Sequence, residues 1–279
     1  MQIQIGARTD VGRLRTNNED NFKVVPEIAL FVLSDGMGGE AHGEVASSMA
    51  VEDIAQHCLG SLKDPKAPLF GPGRDDLTPR TNWLVSALKF ANQRIFDTAA
   101  ANAAQRGMGA TVVAAWLDRE RLSVAHVGDS RIYLLRAGEL VQLTQDHSLV
   151  AEQVRRGILT QQQADESDMS SVLTRAMGVE AEVEVDADEH ILMAGDSVLL
   201  CSDGLLRMVN DEEIASTLLT TPGTQEAVDH LIQMANDNGG ADNITIILLR
   251  FSQHSEGVLA RIWRWLTSPV DSTPLERGN

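Results

Sequence analysis

The chain has 279 residues, enough for one large domain or two small ones, and 43% of them are hydrophobic, so a sizeable core can form. Its 40 Asp and Glu against 23 Lys and Arg leave a net charge of −17, which argues against nucleic acid or an anionic membrane surface as the main partner. Two cysteines, Cys58 and Cys201, cannot build a disulfide framework or a thiolate zinc site.

In chain order, Met1 to Gly6 carries no leader pattern, and no window reaches the roughly 18 apolar residues of a membrane span, so a soluble protein of a reducing cytoplasm is expected. Gln2 to Ala7 alternates, with Ile3 and Ile5 on one face, and reads as a first strand. Arg8 to Asn21 is polar and turn-rich and contains Arg15-Thr16-Asn17-Asn18-Glu19-Asp20. Leu30 to Leu33 is a short apolar run of β-formers that stops at Ser34 and leaves Asp35 at the strand end. Gly36, Gly38 and Gly39 follow, so a carboxylate is delivered onto a backbone with almost no side-chain bulk. There a carboxylate and a bare glycine carbonyl can reach one hard cation.

A helix is predicted from His42 to about Leu62, then a proline-rich loop from Lys63 to Arg80, then a helix from about Asn82 to Gln105 with Leu84, Leu88, Ala91 and Ile95 on one stripe. Ala110 to Leu117, Arg121 to Val127, Arg131 to Arg136 and Glu139 to Leu143 read as four short strands. Their links are too tight for anything but antiparallel neighbours. His147 to Arg156 reads as a helix ended by Gly157, and Thr160 with Gln163 as a capping box for another. Strands resume at Glu182 to Glu189 and Ser197 to Cys201. Helices follow at about Asp211 to Leu219 and Thr224 to Asp237, then a last strand from Ile244 to Phe251.

Asp35, Asp129, Asp203 and Asp242 share one setting: each stands where an apolar strand meets a glycine-containing turn. One Asp-Gly by itself is an ordinary turn. Several such aspartates at strand ends that converge would repel one another unless cations sat between them. All-oxygen ligation without Cys or His favours Mg²⁺ or Mn²⁺ over zinc, and two such ions about 4 Å apart can direct a hydroxide at a phosphoryl group. Arg15 adds a side chain able to grip a phosphate through parallel N–H bonds, and the neighbouring Glu19 and Asp20 can bind metal-coordinated water.

The ordered set Arg15-x-x-Asn18-Glu19-Asp20, Asp35-Gly36-Met37-Gly38-Gly39, Gly109-Ala110-Thr111, Gly128-Asp129-Ser130-Arg131, Ser202-Asp203-Gly204-Leu205 and Asp242-Asn243 resembles the PPM (type 2C) metal-dependent serine/threonine phosphatases, their bacterial branch in particular. The resemblance runs from about Ala7 to Arg250. It implies an α+β fold, an α-β-β-α sandwich of two antiparallel sheets packed face to face with helices outside. It also implies that residues 1–252 form the phosphatase domain, with a variable flap at about 146–177. By the same resemblance Asp35 bridges two Mn²⁺ or Mg²⁺ ions, the Gly36 carbonyl binds one, Asp203 and Asp242 hold the other, and a third, weaker ion sits near Asp129 and Asp203. Asp35, Asp203 and Asp242 would be the catalytic set, Glu19, Asp20 and Asn243 would surround it, and Arg15 would hold the substrate phosphate. The expected reaction is hydrolysis of phosphoserine and phosphothreonine on proteins by in-line attack of a water or hydroxide bridging the ions, without a phosphoenzyme. It would reverse a bacterial Ser/Thr kinase.

The chain departs from the family at two points. Met37 stands where some relatives carry a histidine able to protonate the leaving alkoxide, and Glu40 where many bacterial relatives have histidine. The general acid stays open between His42, His147 and a metal-bound water. His126, inside a strand, reads as a packed residue. Gly36-x-Gly38-x-x-Ala41 fits a relaxed dinucleotide fingerprint, but its helix leads to a proline loop and not a parallel strand. Cys201-x-x-Gly204-x-x-Arg207 has the spacing of a cysteine-dependent phosphatase loop, but Asp203 inside it would repel a phosphate dianion and Leu200 stands where those enzymes have histidine. A catalytically silent docking module would not need Arg15 with all four aspartates. Residues 253–279 read as an amphipathic helix, with Val258, Leu259, Ile262, Trp263, Trp265 and Leu266 on one arc, followed by a disordered tail. The helix packs on the domain, docks a partner or contacts a membrane surface.

Overall fold

The computed structural model describes residues 1–38, 42–165, 167, 169 and 171–253. The expected C-terminal helix, and Gly39 to Ala41 of the glycine segment, lie outside the described residues.

The chain opens with β1 (Gln2–Asp10), β2 (Asp20–Val25) and β3 (Leu30–Met37), then α1 (His42–Lys63) and α2 (Pro79–Ala101). Next come β4 (Gly109–Ala110), β5 (Val112–Asp118), β6 (Arg121–Val127), β7 (Arg131–Arg136) and β8 (Glu139–Gln142), and the short helices α3 (Leu149–Arg155) and α4 (Gln161–Asp165). It continues through β9 (Asp186–Ile191), β10 (Ser197–Cys201), α5 (Asp203–Leu206), α6 (Asp211–Thr220) and α7 (Thr224–Asp237) to β11 (Ile244–Ser252). One sheet runs β1-β11-β10-β7-β8 and the other β2-β3-β5-β6-β9, with β4 paired to β3; every pairing is antiparallel.

The central strands are apolar on both faces because both faces are covered. Phe31 and Leu33 of β3 meet Val198 and Leu200 of β10 and Ile247 and Leu249 of β11 between the sheets. Leu30 and Val32 point the other way, onto Ile54 of α1 and Leu84, Leu88 and Ile95 of α2. On the far side Leu199 and Cys201 of β10, with Ile246 and Leu248 of β11, pack under α6 and α7. The result is helix layer, sheet, sheet, helix layer, as the resemblance implied. Among the described residues no helix is long and apolar enough to cross a membrane.

The structure differs from the sequence reading at four places. β2 begins inside the stretch Arg8 to Asn21 that reads as polar and turn-rich and runs on through residues given no element; it is an edge strand whose one inward pair, Phe22 and Val24, packs between the sheets. The expected strand from Ala110 breaks at Thr111, whose backbone turns to bond Asp35. β9 starts four residues later than the alternation suggests. His147 lies outside its helix, because Ser148 is the N-cap and accepts from the Ala151 N–H.

Candidate metal centre

The aspartates gather where strands of both sheets end at one edge. Asp20, the first residue of β2, pairs in register with Asp35 on β3. Asp203 opens α5 directly after β10, and Asp242 precedes the adjacent β11. Asp129 lies in the turn from β6 of one sheet to β7 of the other. Asp35 interacts electrostatically with Asp20, Asp203, Asp129 and Asp242 at once.

Small polar residues hold this convergence. The Thr111 N–H donates to the Asp35 carbonyl at 2.8 Å, the Asp35 N–H reaches Thr111 Oγ1 at 3.3 Å, and Ser34 Oγ donates to the Thr111 carbonyl at 2.6 Å. A Cβ at Gly36 would come within 2.1 Å of the Gly43 carbonyl, and one at Gly204 within 2.0 Å of the Asn243 carbonyl, so only glycine lets α1 and the β11 entry close on the site. Asn243 Oδ1 accepts from the Glu19 N–H, and its Nδ2 donates to the carbonyls of Val11 and Asn17. Asn243 thereby fastens the Arg15 loop to the β11 entry. The Glu19 side chain lies against Gly43 at the start of α1.

The electrostatics of the cluster are those of an acid group lacking a counter-charge. Burial, then repulsion from Asp20, Asp203, Asp129 and Asp242, lifts Asp35 well above the ordinary carboxylate range. Burial likewise raises Asp20 to about 7, although Thr245 Oγ1 and Ser202 Oγ donate to its Oδ2 at 2.6 and 2.8 Å. Burial and then the charge of Asp203 lift Asp129 to about 7. Burial also raises Asp203, and its carboxyl and that of Asp35 lie within hydrogen-bond reach of each other. Asp20 Oδ1 and Asp203 Oδ1 are buried with no hydrogen-bond partner. Orphaned carboxylate oxygens that converge, all of them hard oxygen donors, fit a divalent cation such as Mg²⁺ or Mn²⁺.

Two arginines face the cluster. Arg15, half exposed, donates from Nη2 to Asp242 Oδ2 at 2.8 Å. Arg207 pairs with Asp203 Oδ2 at 2.5 Å and lies 3.8 Å from Asp242 Oδ2. In the sequence Arg207 stands out only in the cysteine-loop spacing, although it follows Asp203 by one helical turn. Nothing in the sequence marks Ser202 and Thr245 as the two donors that hold Asp20.

The histidines behave differently from one another. His147 is buried; the Gly128 N–H donates to its Nδ1 at 3.0 Å, and its Nε2 is 3.2 Å from Asp186 Oδ2 and 3.0 Å from Arg175 Nη1. Both ring nitrogens are thus engaged within the fold. His126 is packed, as expected, and stacks on His147 with ring centroids 4.7 Å apart. Among the described residues His126, His147 and Asp186 also bring ligand-type atoms within 4.8 Å of one another. Arg175, which donates to Asp186 at 2.7 Å, already supplies the positive charge there. Cys201 is fully buried against the outer helices, and burial pushes its thiol far up, so it is neither accessible nor a thiolate.

Beside the aspartates opens a cavity of about 790 Å³, whose lining includes Asp129, Asp203 and Arg207 together with Val150, Val154 and Ala164 of α3 and α4. Arg131 of β7 grips Asp146 with three N–H···O contacts of 2.8–3.1 Å, fixing the start of the segment that carries those helices.

Comparison with known proteins places this arrangement among described ones. Residues 13–248 match the family described as protein phosphatase 2C. The serine/threonine phosphatase stp of Listeria welshimeri is 38% identical over 253 residues, 90% of this chain and 96% of that protein. The protein phosphatase PhpP of Streptococcus pneumoniae is 35% identical, over 90% of this chain and 98% of its own. Among solved structures, the Mycobacterium tuberculosis serine/threonine phosphatase PstP/Ppp superposes with a TM-score of 0.77 at 35% identity, over 90% of this chain and 99% of that one. The PstP catalytic domain in complex with two manganese ions gives a TM-score of 0.76 at 35% identity, over 90% and 99% of the two chains.

Proposed function

The chain belongs to the protein phosphatase 2C family, in its bacterial branch of protein serine/threonine phosphatases, and from that premise we propose that the aspartate edge is a two-ion hydrolytic centre. The single observation that carries this reading is the pair of buried, partnerless oxygens on Asp20 and Asp203 inside a cluster of mutually repelling carboxylates. Asp35 and the Gly36 carbonyl would hold one ion, Asp35, Asp203 and Asp242 the other, and Asp129 with Asp203 would face a third, weaker position. Two divalent ions, Mn²⁺ or Mg²⁺, when bound supply a water acidic enough at neutral pH to displace an alcohol from phosphorus directly. The manganese-bound PstP relative supports the choice of metal.

The remaining work falls to the protein's own groups. Asp20, Glu19 and Asn243 set the ligand positions. Arg15, which donates to Asp242, would bind and orient the phosphate through its fork of N–H donors. Residues 146–177, which carry α3 and α4, form the flap over the cavity where the phosphopeptide lies. The substrates are phosphoserine and phosphothreonine in proteins, and the enzyme opposes a bacterial Ser/Thr kinase. The free, buried thiols of Cys58 and Cys201 accord with work in a reducing cytoplasm.

The test is hydrolysis of a phosphothreonine peptide by metal-stripped protein, with and without Mn²⁺, beside the Cys201→Ser variant. Turnover restored by Mn²⁺ and largely kept in Cys201→Ser is expected. A chelator-resistant wild type together with a dead Cys201→Ser variant would overturn the metal mechanism in favour of the cysteine loop.

A further inference from the structure

Arg207 is not needed to hold the phosphate, which Arg15 can do, and it is not a metal ligand, yet it lies deeper in the cluster than Arg15. It follows Asp203 by one turn of α5, which brings its side chain back over that carboxylate. Its Nη2 is 2.5 Å from Asp203 Oδ2 and its Nη1 3.8 Å from Asp242 Oδ2, and its charge reaches Asp129 as well. The two oxygens of Asp203 are therefore used differently: Oδ1 is buried and unpartnered, while Oδ2 already has a cation. Asp129, Asp203 and Arg207 also line one cavity together.

Resting on the two-ion reading, we propose that Arg207 is a tethered cation occupying the outer position between Asp129 and Asp203, so that this chain completes its centre with two divalent ions and one guanidinium and takes a third ion there only weakly. The charges favour it. Asp20, Asp35, Asp129, Asp203 and Asp242 carry five formal negative charges; two divalent ions leave one over, which a single guanidinium neutralises. Arginine cannot shed its proton near neutral pH, so its charge is constant over the working range. Being tethered, it competes with free ions at a high effective concentration. It also leaves Arg15 free for the phosphate, whose added negative charge would otherwise call for a further cation.

The experiment is equilibrium dialysis of full-length protein against rising free Mn²⁺, with bound manganese counted per chain, for wild type, Arg207→Ala, Arg207→Gln, Arg207→Lys and the double variant Arg207→Ala with Asp129→Asn. Wild type should plateau at two tightly held ions. Arg207→Ala and Arg207→Gln should take up a third, at a free concentration at least about tenfold below that at which wild type does. Arg207→Lys should behave as wild type, and the double variant should fall back to two. A tight pair in wild type with third-ion uptake unchanged in Arg207→Ala and Arg207→Gln sinks the proposal alone. So does a raised KM for phosphopeptide in those variants without any change in metal uptake, which would make Arg207 a substrate residue. A wild type holding no tight pair would sink the two-ion reading itself, and this proposal with it.

Discussion

Glu189 and Asp203 are both acidic side chains largely withdrawn from water, and the protein treats them in opposite ways. Glu189, on β9, accepts from the Thr78 N–H at 2.8 Å, from the hydroxyls of Thr78 and Thr81, and from Arg121 Nη1 at 2.8 Å. Burial pushes its pKa up, but those donors outweigh it and bring it down to about 2. Asp196, before β10, is served in the same way: against a similar burial penalty, two nitrogens of Arg136 and the Met193 N–H hold it low. Asp186 is depressed by His147 and Arg175. At the aspartate edge burial and mutual repulsion outweigh the donors present, the two hydroxyls on Asp20 and Arg207 on Asp203, and Asp20, Asp35, Asp129 and Asp203 all shift upward. One residue type is a structural fastener where the fold supplies its partners, and a binding group where the fold withholds them.

The comparison breaks most visibly if Asp203 proves to be another fastener. Asp203→Asn keeps the shape and removes the charge that a cation needs. Removing a group that merely supports a metal ligand costs about 10–100-fold in affinity or activity, so removing the ligand itself should cost more than about 100-fold in both. Metal binding and phosphopeptide turnover measured side by side decide it; a variant that binds Mn²⁺ like wild type would return Asp203 to the structural class. Arg15→Ala comes next. Losing a charge-assisted hydrogen bond of about 1.5–3 kcal/mol should raise KM for phosphopeptide roughly ten- to a hundredfold, with metal affinity nearly unchanged. Wild-type kinetics would remove Arg15 from the site.

A third expectation uses pH. Asp20 and Asp129 have folded-state pKa values of about 7, above their ordinary 3.8. The stability tied to their protons is therefore fully present below about pH 4 and is lost as pH rises through about 7, where buried charge is left facing buried charge. Metal-stripped protein should thus lose on the order of 2 kcal/mol for each of the two groups, about 4 kcal/mol together, between about pH 5.5 and pH 8 relative to protein saturated with Mn²⁺. Melting curves of both forms at the two pH values provide the check; parallel behaviour would mean that the cluster is not short of cations.

Much of this contrast was legible in the sequence. The aspartates at strand ends could be read because each sits between an apolar run and a glycine, a local pattern that fixes where the carboxylate emerges. The sandwich followed from short antiparallel links and runs apolar on both faces. What could not be read depends on pairing across the chain. Nothing near Asp20 says that Ser202 and Thr245 will bond it, and nothing in the edge strand β2, half exposed and carrying Asn21 and Lys23, announces a strand. The partners of Glu189 and Asp196 are equally invisible, so the local pattern singles out the strand-end aspartates among 40 acidic residues but does not show which of the others the fold fastens. Arg207 is visible by its spacing from Asp203, but the only pattern that brings it up is a cysteine-loop spacing that Asp203 and Leu200 argue against.

The smallest expected effect tests the fastener side. Thr78 caps α2, its side chain accepting from the Thr81 N–H, and Glu189 in turn binds the Thr78 backbone and the hydroxyls of both threonines. The pair ties the start of the helix layer to the edge of the sheet beneath it. Glu189→Gln retains an acceptor but loses the charge that strengthens these bonds and the pairing with Arg121. The loss should be about 1 kcal/mol at neutral pH, a fall in Tm of roughly 2–4 °C for a chain of this size, with metal binding and turnover intact. The sign of its pH dependence is opposite to that of the cluster. A folded pKa of about 2 against an ordinary 4.5 means that the stabilisation is present above about 4.5 and disappears as pH falls toward 2. Wild type and variant should therefore differ in Tm at pH 7 and converge below about pH 3. A gap that persists in acid would show that Glu189 acts by packing alone, and the division between satisfied and unsatisfied carboxylates would lose its clearest member.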